Sequence, residues 1–121
     1  NASTSGSIKI TGTDISSAAI TENLTISSAT TGASTKAFKT VTRINADLTT
    51  GQTNKTLKMG TGDLLGLNSK LATNTVLLVA LNDTKEATAP AVTVNSTVLS
   101  LNTIDTNTAP GGKVTKVWYI V

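Results

Sequence analysis

The chain has no cysteine and no histidine, and only three of its 121 residues are aromatic: Phe38, Trp118 and Tyr119. Without cysteine there is neither a disulfide framework nor a thiolate metal site. Without histidine the commonest general base, the commonest metal ligand and every histidine-containing triad are missing. Charge is scarce as well. Ten basic and seven acidic residues leave a net +3, far below the roughly one-quarter charged content of ordinary soluble proteins. The bases form no run and stacking aromatics are nearly absent, so no nucleic-acid partner is expected. No apolar run reaches the ~20 residues of a membrane helix, so no membrane span is expected in this chain. No leader is visible, as expected of a secreted chain after processing.

What is present is small and uncharged. Threonine, serine and asparagine number 25, 11 and 10, together 46 of 121 residues. Threonine is β-branched and suits strands, whereas serine and asparagine suit turns. The surface is therefore one of hydroxyls and amides. Such groups do not titrate, so tolerance of acid is expected.

Period-2 alternation dominates the chain, as it does in half-buried strands. Ser7-Ile8-Lys9-Ile10-Thr11 alternates and is broken by Gly12-Thr13-Asp14. Ile20, Leu24 and Ile26 share a face of a second run. Residues 36–48 alternate with a change of phase between Val41 and Ile44, which predicts a bulge or a strand end there. Residues 75–81, TVLLVAL, are nearly all apolar, as for a strand buried on both faces. Residues 91–101 alternate around a polar centre, with Pro90 suited to the start of a strand. Gly111-Gly112 predicts a turn into a last strand, Lys113 to Val121. Its apolar content predicts a central, permanently buried strand, with Val114, Trp118 and Ile120 on one face and Val117, Tyr119 and Val121 on the other. Leu64, Leu67 and Leu71 fall at i, i+3 and i+7, which predicts a short helix near 63–72 despite Gly66.

About seven short strands at this spacing predict an all-β fold, an immunoglobulin-like or pilin-like β-sandwich. The expected organisation is an N-terminal extension over residues 1–15 followed by a single sandwich domain over 16–121.

Catalytic and cofactor signals are weak. Gly60-Thr61-Gly62 lacks the Lys-Ser/Thr pair and βαβ setting of a phosphate loop, so a tight turn is expected. Asp14, Glu22, Asp47, Asp63, Asp83, Glu86 and Asp105 form no calcium-loop pattern. Serine and threonine abound, but no lysine is singled out as a partner for a nucleophile. The chain reads as a non-enzyme without a cofactor or metal. The remaining motif is Asn-x-Ser/Thr, present at Asn1, Asn23, Asn54, Asn82 and Asn95. Asn23, Asn54, Asn82 and Asn95 are the candidate N-glycan sites.

A Thr/Ser/Asn-rich β-domain with several sequons, no cysteine and a leading SIKITG strand resembles the archaeal extracellular thread filament subunits. The resemblance covers the whole chain in composition and includes no diagnostic motif. It implies an extracellular, glycosylated structural subunit that polymerises with identical subunits by donor-strand complementation. Its N-terminal strand would enter the next copy, with Ile8, Ile10 and Ile15 as the donor side chains. Bacterial chaperone–usher pilins share this logic but often carry a disulfide that is missing here. A secreted carbohydrate- or surface-binding β-sandwich module is the alternative reading.

Overall fold

The computed structural model describes residues 5–26, 32–48 and 58–121. The described chain is all-β, with nine strands: β1 Gly6–Thr13, β2 Ala19–Ile26, β3 Thr40–Leu48, β4 Leu64–Gly66, β5 Val76–Leu81, β6 Thr84–Lys85, β7 Ala91–Thr93, β8 Thr103–Asp105 and β9 Thr115–Tyr119. They form three antiparallel sheets of three strands, ordered β2-β1-β3, β4-β8-β7 and β6-β5-β9. These are called the first, second and third sheets below. The expected all-β fold is thus present, built as three small antiparallel sheets whose strands after β3 run only two to six residues.

The first sheet follows directly from its alternation. Ile8 and Ile10 on β1 are buried with Ile26 on β2, and Leu24, Phe38 and Ile44 pack against them. Ser7, Lys9, Asn23, Thr25, Arg43 and Asn45 occupy the opposite, exposed face. The change of phase in β3 is a bulge: Thr11 pairs with Arg43 and Gly12 with Val41, which leaves Thr42 unmatched. At this kink the chains approach closely. A Cβ on Gly12 would lie 1.9 Å from the Thr40 carbonyl oxygen and 3.0 Å from Phe38 Cδ1, so only glycine fits.

The second and third sheets share a separate core. Leu67, Leu71, Val79 and Ile104 are buried there, with Val76, Val92, Val94, Val117 and Tyr119 packed around them. No residue belongs to both clusters. In β5, Val79, Ala80 and Leu81 are buried as the apolar run implies, but a register shift between Val76 and Leu78 leaves Leu77 68% exposed.

The helix expected near 63–72 does not form. Residues 64–66 are β4, paired with β8, and the following residues run through bends. Leu67 and Leu71 reach the core by another route. The Leu67 N–H donates to the Asn102 carbonyl at 2.8 Å, and the Leu71 N–H donates to Asn102 Oδ1 at 2.9 Å. Asn102 thus takes donors that a helix would have given to its own carbonyls. Its side chain is fully buried. Oδ1 also accepts from the Asn95 N–H at 2.9 Å, while Nδ2 donates to the carbonyls of Asn95, Val98 and Leu99 at 2.8, 2.9 and 3.3 Å. Every Oδ1 partner is a donor and every Nδ2 partner an acceptor, so the amide has one consistent orientation.

The same region shortens the strand expected at 91–101. β7 stops at Thr93, and Asn95 Oδ1 accepts from the N–H groups of Thr97 and Val98 to make a turn. One 3-10 turn, Leu99–Leu101, then leads into β8. The β5–β6 hairpin turns on Asn82 and Asp83, at φ 48° and 65°, values matching a two-residue type I′ loop. Gly111 and Gly112 have φ of 52° and 81°, and the Lys113 N–H donates to the Pro110 carbonyl at 2.7 Å. The glycines supply the left-handed conformation that this turn needs.

Candidate functional site

The leading strand differs from its sequence reading. Rather than an unpartnered extension, β1 is the central strand of the first sheet. It is in register with β2 from Gly6 opposite Ile26 to Thr13 opposite Ala19, and with β3 from Gly6 opposite Leu48 to Thr13 opposite Thr40. The boundary expected at residue 15 therefore cuts through a sheet in the single chain. Ile8 and Ile10 do share one face, and both are at the centre of the first apolar cluster.

Ile15 does not belong with them. The chain leaves the strand after Thr13 because Asp14 closes a turn: its Oδ1 accepts from the Ser16 N–H at 2.9 Å, the Ser16 hydroxyl at 2.7 Å and the Ala18 N–H at 3.0 Å. The Asp14 N–H also donates to the Ala18 carbonyl. Ile15 is carried onto this turn, where it is 46% exposed. It lines a cavity of about 80 Å³ between the first sheet and the rest of the domain, with Phe38, Gly66, Leu67, Leu99 and Ser100. The Ser100 hydroxyl is buried there without a hydrogen-bond partner among the described residues.

A second carboxylate fastens the loop after β2. Glu22 lies on the apolar side of the sheet, opposite Ile10. It accepts from the Ser34 hydroxyl, from the Thr35 N–H at 2.9 Å and hydroxyl at 2.7 Å, and from the Lys36 N–H at 3.2 Å. The hydrogen bond from the Ser16 hydroxyl is foremost in holding the Asp14 carboxyl below its ordinary pKa. For Glu22, burial opposes ionisation more than any single contact favours it. The combined bonds from Ser34, Thr35 and Lys36 nevertheless lower its pKa.

Groups with depressed folded pKa contribute stability above the unfolded pKa and lose it as pH falls through the folded value. Asp14 and Glu22 therefore support the first sheet at neutral pH and down to the ordinary carboxylate range near about pH 4. Thermal melts are expected to hold steady from pH 7 to about pH 5, then to fall as both groups take up protons. A Glu22→Gln, Asp14→Asn variant is expected to flatten that acid limb. An unchanged limb in the variant would contradict the assignment.

The last strand also reverses its expectation. Alternation along it is as read, with Val117 and Tyr119 in the core and Val114, Trp118 and Ile120 on the other face. That second face is not buried. Trp118 is 46% and Ile120 61% exposed, and β9 is the edge of its sheet, paired among the described residues with β5 alone. Inward coverage is supplied by the second sheet, while no described element packs on the outer face.

Of the candidate glycan sites, Asn23 is exposed on the polar face of the first sheet and Asn82 is exposed in the β5–β6 turn. Asn95 is half-buried and its Oδ1 is committed to the turn beside Asn102, so it is not the outward-facing strand residue expected. Asn54 lies outside the described residues.

Among the described residues, no three Asp or Glu side chains cluster to hold a metal ion, and no helix is long and apolar enough to cross a membrane. The ion pair of Lys116 with Asp83 is largely exposed, so little stability is assigned to it. No protein-family model, curated protein or solved structure matches this chain.

Proposed function

We propose that this chain is a structural, non-catalytic subunit of an extracellular filament, a pilus- or thread-like homopolymer on the cell surface. Each subunit donates β1 to the next, where it lies between that copy's β2 and β3. One observation supports the reading above others: β1 is the first described element of the chain and also the central strand of a sheet whose apolar cluster is separate from the main core. An element whose apolar contacts are confined to one sheet can be exchanged between identical copies. The contacts of Ile8 and Ile10 are then remade in trans, so exchange costs little beyond opening the connection. That connection is residues 14–18. Released from the Asp14 turn, five residues reach roughly 17 Å. Exchange that does not close into a ring builds a filament.

The test separates acceptor from donor. A chain lacking residues 1–13 is expected to keep its second and third sheets and to bind a synthetic peptide of residues 1–13, regaining protection of β2 and β3 amides from hydrogen exchange. Failure to bind the peptide, with the truncated chain folded, would count against strand donation.

Asn23 and Asn82 are proposed to carry N-linked glycans, since both are exposed at sequons. Native material is expected to exceed the bare 12.3 kDa mass, with added sugar mapped to those asparagines. A native mass equal to the polypeptide would contradict this.

A further inference from the structure

The exposed edge of β9 has properties that strand exchange through β1 does not use. Backbone groups along a strand alternate in direction, and two contacts fix the phase here. The Asn82 N–H donates to the Val114 carbonyl at 2.9 Å, and the Ile120 N–H donates to the Thr75 carbonyl at 3.3 Å. Even-numbered residues of β9 therefore address β5, and Thr115, Val117 and Tyr119 turn their N–H and C=O groups to the open edge. Open ladders of this kind recruit strands. Proteins usually blunt them with charge, proline or short length. Here the edge carries Lys116 but also Trp118, with Val114 at 63%, Ile120 at 61% and Leu77 at 68% exposed beside them.

We infer that β9 pairs antiparallel with β9 of a second copy about a two-fold axis at Val117, making one six-stranded sheet ordered β6-β5-β9-β9-β5-β6. The occupant is fixed by register and charge. An isologous antiparallel pair can centre on any strand residue, but centring on Lys116 sets the two ammonium groups against each other, and centring on Trp118 leaves Thr115 and Lys116 beyond the partner's β9. Centring on Val117 alone pairs the whole strand: Thr115 meets Tyr119 and Val117 meets Val117 on the inner face. On the outer face Lys116 meets Trp118 of the second copy, and the contact occurs twice. That is a non-hydrogen-bonded pair, the closer kind, and it sets an ammonium against an indole ring. No like charges oppose each other in this register. Centring on Tyr119 or Thr115 strands Lys116 or Trp118 without a partner.

This pairing is independent of β1, so the two readings fail separately. Sedimentation equilibrium of the full chain is expected to show a concentration-dependent dimer of twice 12.3 kDa. Trp118→Lys places a second cation opposite Lys116 at both symmetric contacts and is expected to weaken the dimer about tenfold or more. Both side chains are substantially exposed, so the β spectrum of the variant should match the parent. The double exchange Lys116→Trp, Trp118→Lys restores the opposed pair in this register and is expected to recover the dimer to about threefold of the parent. A parent that stays monomeric would overturn the inference. So would a dimer indifferent to Trp118→Lys, or a double exchange no better than the single one. An open-ended series of masses insensitive to both changes would overturn it too, since that is the signature of strand exchange alone.

Discussion

Replacing Asn102 with leucine is expected to remove at least about 3 kcal/mol of stability, a large share of the roughly 5–15 kcal/mol that keeps a small domain folded. The size follows from what the side chain satisfies. Its Oδ1 takes the N–H groups of Leu71 and Asn95, and its Nδ2 serves the carbonyls of Asn95, Val98 and Leu99. Leucine keeps the branched side-chain shape, though its methyl groups are bulkier than the amide, and the buried groups around it lose their partners without gaining water. Each orphaned group costs about 1–3 kcal/mol. Asparagine at this position also holds the segment after β4 against the turn before β8, so its loss unties both at once. Asn107→Leu is the control. Asn107 is exposed and donates to the Thr88 carbonyl, and its replacement is expected to cost under about 1 kcal/mol. Urea unfolding of the two variants separates the cases. Equal midpoints would contradict the role assigned to Asn102.

The second large effect is confined to one part of the chain. Ile8→Asp puts a carboxylate into the first cluster, where Ile8 is 8% exposed and sits opposite Leu24 and Ala46. An unpaired charge there is expected to cost several kcal/mol, against about 1 kcal/mol for Ile8→Val. Because the two apolar clusters share no residue, the first sheet is expected to lose its hydrogen-exchange protection while β5 and β8 keep theirs. Under the proposed function the same change abolishes filament formation, since the donated strand carries the charge into the next copy. Uniform loss of protection across all three sheets would show that the clusters fold as one unit.

Local features of this fold are legible in the sequence, and the long-range ones are not. The phase break between Val41 and Ile44 located the β3 bulge, because a bulge is an insertion into a two-residue repeat and leaves its mark there. Alternation also separated the two faces of β9. It could not say which face would be covered, since that depends on β4, β7 and β8 packing from one side only. The last apolar strand therefore read as buried, whereas among the described residues it is the edge of its sheet. Ile8 and Ile10 stood out as a pair, but nothing local told that β2 and β3 would flank them. The leucines at 64, 67 and 71 carry a helical spacing, yet the N–H groups of Leu67 and Leu71 are met by Asn102, more than thirty residues away. In a chain with ten asparagines, the one that is buried among the described residues has no sequence signature. Its role arises only where three loops converge.

The central claim is that β1 leaves its own subunit, and electron cryo-microscopy of native material tests it most directly. The account predicts filaments of repeating subunits in which each β1 lies between β2 and β3 of the neighbour, with residues 14–18 extended across the junction. Discrete particles, or filaments in which every β1 remains between its own β2 and β3, would contradict it.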